Sequence, residues 1–292
     1  MHEDEIAIRD EGVRRLVDEQ FPSWASRSLV RLPPVGTDNQ LFRLGDDLLV
    51  RMPRIIGAAA SAEWEHRWLP RLAPYLTIPI PAPIGLGQPG AGYPWHWTVV
   101  PWIEGQSPTP ETFDPEEWAV SLGTFVRELR SVPGMGAPVK SEGRGAPLAC
   151  LDEWVRTWTA RADSSQVDAR AVLAVWRDAL DAPAWDREPA WFHGDLHEGN
   201  LLVRDARLSA VIDWGAAGRG DPAVELNAMW GYLPASVAEL YRRTVDLDEA
   251  AYRRARGFAL APAISSWTYY RDTAPHLSAL GLATVKALIA SL

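Results

Sequence analysis

Over the first twenty positions apolar and charged residues alternate at helical spacing, with Val13, Leu16 and Val17 on one face. Short apolar runs follow at 28–32, 40–44 and 48–52, separated by Gly36 and by the Gly45–Asp46–Asp47 cluster. Runs of that length between turn signals predict an antiparallel meander. A helical period occupies 58–76, and two more short strands are expected near 84–87 and 97–100. Beyond Pro101 the periods lengthen, and helices are predicted over 115–132, 151–161, 165–182, 222–232 and most of 236–292. One β-rich island, 191–214, interrupts them, and the Gly/Pro-rich stretch 133–147 reads as a mobile surface loop.

The pattern divides the chain into a small mixed lobe, 1–101, a seam or hinge at 102–106, and a larger, mainly helical lobe, 107–292. The expected class is α+β. With 47% hydrophobic and 23% charged residues over 292 positions, wholesale disorder is excluded. The net charge of −9 argues against a general nucleic-acid binder, which needs a basic footprint. No apolar run reaches the ~20 residues of a membrane span, and the acidic start MHEDEIAIRDEG lacks a signal-peptide pattern. One cysteine, Cys150, suits a reducing compartment, so a cytoplasmic location is expected; the oligomeric state is not legible. The basic residues are nearly all arginine: the only lysines are Lys140 and Lys286, so none precedes position 140.

The chemistry is concentrated in WFHGDLHEGNLLV, residues 191–203, and VIDWG, residues 211–215. An apolar strand delivers His193 and Asp195 to a loop, Asn200 opens a second apolar run, and a further strand ends at Asp213. Carboxylates and an amide at strand ends suit Mg²⁺, which prefers hard oxygen ligands and takes one or two carboxylates together with substrate phosphates. Asp195 is then free to accept a proton from an attacking hydroxyl. A zinc site built from His193, Asp195 and His197 is the competing reading; the chain has six His and no other ligand cluster to support it.

H-x-D-x-x-x-x-N followed by I-D-x-G, and then GDPAVEL at 220–226, resembles the aminoglycoside phosphotransferase family, whose relatives include macrolide and choline kinases. The resemblance runs from about Val35 to Leu226. It implies a two-lobed protein-kinase-like fold and Mg²⁺-dependent transfer of a phosphoryl group from ATP or GTP to a hydroxyl of a small molecule. By position, it makes Asp195 the catalytic base and Asn200 and Asp213 the metal ligands. His193 then positions the loop, and Asp221 caps a helix or steadies the catalytic loop. An aminoglycoside-type antibiotic is the expected acceptor. The alternatives are another metabolite of macrolide, choline or amino-alcohol type, or a non-catalytic nucleotide-binding protein.

The small lobe can be searched for the parts such a kinase needs. The hairpin PVGTDNQLF offers Gly36, Thr37 and Asn39 as a phosphate cradle. The strand DDLLVRMPR places Arg51 where the phosphate-gripping cation is expected, in the absence of any lysine. On the next helix Glu65 shares a face with Trp68, Leu69 and Leu72 and should point inward to Arg51, whereas Glu63 lies four before Arg67, as in an exposed ion pair. Val100 and Trp102, at the seam, should offer backbone groups to a purine. GMGAPVKS, residues 134–141, imitates a phosphate-binding P-loop but follows a helix and lacks the second glycine. The acidic large lobe, net −7 over 102–292, would steer a cationic acceptor. Tyr269, Tyr270 and Asp272 form either its wall or ordinary helix packing.

Overall fold

Strict alternation puts Phe42 and Leu44 of one strand and Leu48, Val50 and Met52 of the next on the same buried face. In this computed structural model, which describes residues 6–33, 38–109, 112 and 114–292, those runs build a five-stranded antiparallel sheet. Its strands are β1 (Leu29–Arg31), β2 (Asn39–Leu44), β3 (Leu48–Pro53), β4 (Gly85–Gly87) and β5 (Trp97–Pro101), in the order β1-β2-β3-β5-β4. Helix α1 (Asp10–Gln20) closes the core with Val13, Leu16 and Val17 against Phe42, Val50, Trp97 and Val99. Helix α2 (Ile56–Leu72) buries Ala62, Glu65, Trp68, Leu69 and Leu72, the face its period predicts.

The remaining elements are α3 (Pro115–Ser131), α4 (Asp152–Arg161), α5 (Ala169–Asp181), β6 (Ala190–Phe192), β7 (Leu201–Arg204), β8 (Arg207–Val211), β9 (Gly218–Gly220), α6 (Ala228–Gly231), α7 (Ala235–Val245), α8 (Glu249–Tyr269) and α9 (Pro275–Ala290). The class is α+β, as expected. Where boundaries differ, a polar side chain accounts for it. Helix α5 starts at Ala169 rather than 165, because Asp163 accepts from the Ser165 amide in a turn and Asp168 caps the helix. Residues 222–232 form a 3₁₀ turn capped by Asp221, followed by the one-turn α6. The long C-terminal period is broken into α7, α8 and α9 by a left-handed Asp246 (φ +58°), the cap Asp248 and Pro275.

Strand β9 was not predicted, since Gly-Arg-Gly has no apolar pattern. Its backbone pairs antiparallel with β6, Trp191 opposite Arg219.

By contacts the chain forms two compact units, Met1–Gln106 with Ser209–Gly215, and Ser107–Leu208 with Ala216–Leu292. Ser209–Gly215, counted with the larger lobe in the sequence, groups by contacts with the first unit, where Val211 N–H donates to the Pro79 carbonyl (3.1 Å). No helix among the described residues is long and apolar enough to cross a membrane.

Candidate active site

In the first unit Arg51 stands on β3 between the core-facing Val50 and Met52, so the pleat turns its side chain to the other face of the sheet. There its guanidinium forms an ion pair with Glu65 of α2, both side chains being largely buried. Burial works against both charges. Glu65 and then Asp213 more than offset it for Arg51 and hold the guanidinium above its ordinary range, whereas burial pushes the Glu65 carboxyl up despite Arg51. Asp38, Asn39, Ser61, Thr98 and Asp213 line the same small cavity. Asp213 has φ +61°, a left-handed conformation that aspartate tolerates. The structure therefore brings Asn39, Arg51, Glu65 and Asp213 together. Gly36 and Thr37 lie outside the described residues.

Other first-unit expectations fare differently. Val100 is buried in β5 opposite Leu49, and Trp102 donates its N–H to the Asp47 carbonyl (2.8 Å). Neither lines the Arg51 cavity. Any backbone contact from Trp102 to a base thus falls to its carbonyl, while its ring carries the Arg43 guanidinium 3.7 Å from the centroid. Glu63 is exposed as expected, but its partner is His96 (2.6 Å), since the Arg67 guanidinium lies over Trp68.

In the second unit β6 delivers His193, fully buried, whose Nδ1 accepts from the Asp195 amide (3.2 Å). This fits a loop-positioning role. Asn200 donates through Nδ2 to the Asp195 carbonyl (2.9 Å), which assigns its Oδ1 as the amide atom left to act as an acceptor or ligand. Beneath the turn lies Glu225. Its carboxylate accepts from the amides of His193 and Gly194 (3.3 Å for the latter), and burial pushes it up to about 7 against the help of those amides. Asp221 caps the 3₁₀ turn and is clasped by Arg254 (2.6 and 3.1 Å), which ties the end of β9 to α8. Lys140 donates to the Ala216 carbonyl (2.9 Å), a backbone tether rather than a phosphate contact. Tyr269 is exposed and packs edge-on with Trp158 and Tyr270.

Sequence reasoning missed Arg144. The stretch 133–147, expected to be mobile, is tied down along its length. Lys140 N–H donates to the Arg219 carbonyl, the Gly145 carbonyl accepts from Asp221 N–H (both 2.8 Å), and Ala146 is fully buried. Its glycines serve close approach. A Cβ on Gly134 would lie 2.3 Å from the Arg219 guanidinium, and one on Gly145, at φ +75°, would lie 2.2 Å from the Phe192 ring. So anchored, the loop lays Arg144 on Asp195 Oδ1 and on the Gly194 carbonyl (2.9 Å). Burial would raise the Asp195 carboxyl, but Arg144, and then His197, hold it below the usual range and so ionised. No signal in the sequence marks this contact, because it joins residues 51 apart across an irregular loop.

Comparison with known proteins follows this geometry. The model of the phosphotransferase enzyme family matches residues 30–258. No curated protein matches the sequence. Among solved structures, the GDP complex of wild-type aminoglycoside 2'-phosphotransferase-IIIa is 21% identical, with a TM-score of 0.71 over 97% of this chain and 99% of that one. The GDP and kanamycin complex of APH(2")-IIia is 20% identical, TM-score 0.68, covering 96% and 98%. A macrolide 2'-phosphotransferase from Brachybacterium faecium is 21% identical, TM-score 0.62, covering 94% and 98%. At these identities the likeness concerns the fold, which is the kinase-like fold expected.

Proposed function

Because the chain belongs to the phosphotransferase enzyme family and is a small-molecule kinase, we propose that it moves the γ-phosphoryl group of a nucleoside triphosphate to a hydroxyl of its acceptor, with Asp195 as base. The ionised Asp195 carboxylate, held in a turn fixed by His193, Asn200 and Glu225, is the observation that carries this reading. A carboxylate of lowered basicity suits the reaction. Phosphoryl transfer passes through a loose transition state in which positioning and charge matter more than early proton removal. With Arg144 on Oδ1, the acceptor hydroxyl would donate to Oδ2, whose neighbours are the more distant Asn200 amide (3.4 Å) and His197 (3.9 Å). The acceptor oxygen forms the new P–O bond as the bond to the β-phosphate oxygen breaks. The diphosphate leaves, and the hydroxyl proton passes to Asp195.

In the same reading Arg51, oriented by Glu65, contacts the α- or β-phosphate, and the Trp102 carbonyl and Val100 face the base. The donor is ATP or GTP; GDP complexes among the structural neighbours support a purine nucleotide without choosing between them. The donor set suits Mg²⁺. As the family resemblance implies, Asn200 Oδ1 and the Asp213 carboxylate, both hard oxygens, would each hold Mg²⁺ bound with the phosphates. When bound, Mg²⁺ supplies charge neutralisation of the phosphates. Structural neighbours named as aminoglycoside and macrolide phosphotransferases support a small-molecule alcohol as acceptor; the aminoglycoside expected from the sequence is one candidate within that class, not one the neighbours assign to this chain.

The test is Asp195→Asn. Turnover, followed as nucleoside diphosphate release, should fall ~10²–10⁴-fold, the range for a positioned acid or base, with nucleotide affinity nearly unchanged. Wild-type turnover in the variant would remove Asp195 from the role.

A further inference from the structure

The second unit contains a cavity of about 110 Å³ that opens at Asp195 and runs between the turn after Asp221 and helices α8 and α9. Among the described residues, its charged lining is Arg144, Asp195 and Glu225. None offers a free negative charge. Asp195 is paired with Arg144, and Glu225 is fully buried and committed to the amides of His193 and Gly194. The rest of the wall is apolar or neutral, with Leu196, Val224, Leu277 and Leu280 beside Tyr232 and Ser266. The volume suits a ring-sized apolar group rather than a hydrated ammonium.

Resting on the phosphotransferase reading of Asp195, we propose that this cavity selects an acceptor alcohol with a compact apolar body and little positive charge, and that Arg144 is the residue that turns polycations away. A polycationic acceptor has to displace Arg144 or place an ammonium beside it, and the cavity wall itself offers only the paired Asp195 and the buried Glu225 in exchange. An uncharged alcohol keeps the Arg144–Asp195 pair and buries carbon against Leu277 and Leu280. The overall acidity does not reverse this. Charges farther than the ~8–10 Å screening length act weakly at physiological salt, whereas Arg144 is in contact with Asp195. The negative surface can raise the encounter rate of a cation, but the cavity decides what stays.

The experiment compares binding of two probes to the intact protein by isothermal titration without nucleotide: octyl glucoside, uncharged and kept below its micellar concentration, and kanamycin, a polycation. The expected result for the wild type is at least tenfold tighter binding of octyl glucoside. Arg144→Gln should shift the ratio at least tenfold toward kanamycin, while Arg144→Lys, which keeps the charge, should hold the wild-type ranking. A purely structural role for Arg144 would move both probes together in both variants. Kanamycin binding more tightly than octyl glucoside in the wild type, binding of neither, or an unchanged ratio in Arg144→Gln would each overturn the inference. The wild-type ranking stands as a test even where a variant fails to fold. A fluorescent nucleotide analogue titrated separately distinguishes the two readings. If it fails to bind while octyl glucoside binds, phosphoryl transfer is wrong and the preference of the cavity survives.

Discussion

Glu225 shows how much one buried carboxylate can set the conditions under which this turn holds. Its ordinary value of 4.5 is pushed up to about 7 by burial, and the amides of His193 and Gly194 recover only part of that cost. Between roughly pH 4.5 and 7 the folded chain therefore keeps a proton that the unfolded chain has released. Stability should fall as pH rises through that window and level off above it, by at most about 3 kcal/mol for a shift of this size. Denaturant unfolding at pH 5 and pH 8 checks this. The wild type should lose more stability between the two than Glu225→Gln, which has nothing to titrate; equal losses would contradict it. At the same scale, Arg51 and Glu65 were legible because each follows a period, two along β3 and 3.6 along α2. Glu225 and Arg144 follow none. Their partners are chosen by distant backbone, and no spacing in the chain encodes them.

Among the elements, those carrying an apolar stripe were readable, and those held by backbone contact were not. The meander, α2 and α3 lie close to their predicted spans, whereas β9 and the 133–147 loop depend on glycines that let main chain and ring pack together. Gly145 concentrates that dependence. Alanine there would carry the cost of a left-handed φ, roughly 1–3 kcal/mol, and would also drive its Cβ into Phe192 of β6. Gly145→Ala should lower the melting temperature and speed hydrogen exchange across 133–147. Since the same loop carries Arg144, the variant should also lose discrimination between charged and uncharged acceptors. An unaltered melting temperature would show that the loop relaxes freely and that its glycines serve no packing purpose. A composition rich in Gly and Pro reads as freedom; here it gives close contact.

For the molecule as a whole, no spacing in the sequence shows that the chain comes back to its first unit. Ser209–Gly215 groups by contacts with Met1–Gln106, where Val211 N–H donates to the Pro79 carbonyl, and Asp213 rides on the same segment into the Arg51 cavity. The fragment 1–106 should accordingly be far more protease-sensitive than the same fragment with 209–215 tethered to its end; equal sensitivity would mean the segment adds nothing. The same route has a consequence in time. A ribosome releases the chain from its N-terminus, so the first unit emerges with its returning segment 209–215 still unmade and must wait while about a hundred further residues are translated. At ~5–20 residues per second that is on the order of 5–20 s. During that interval the Pro79 carbonyl, later met by Val211, is open to any segment that passes, and a chaperone that shields it would favour the nascent enzyme more than one acting after release.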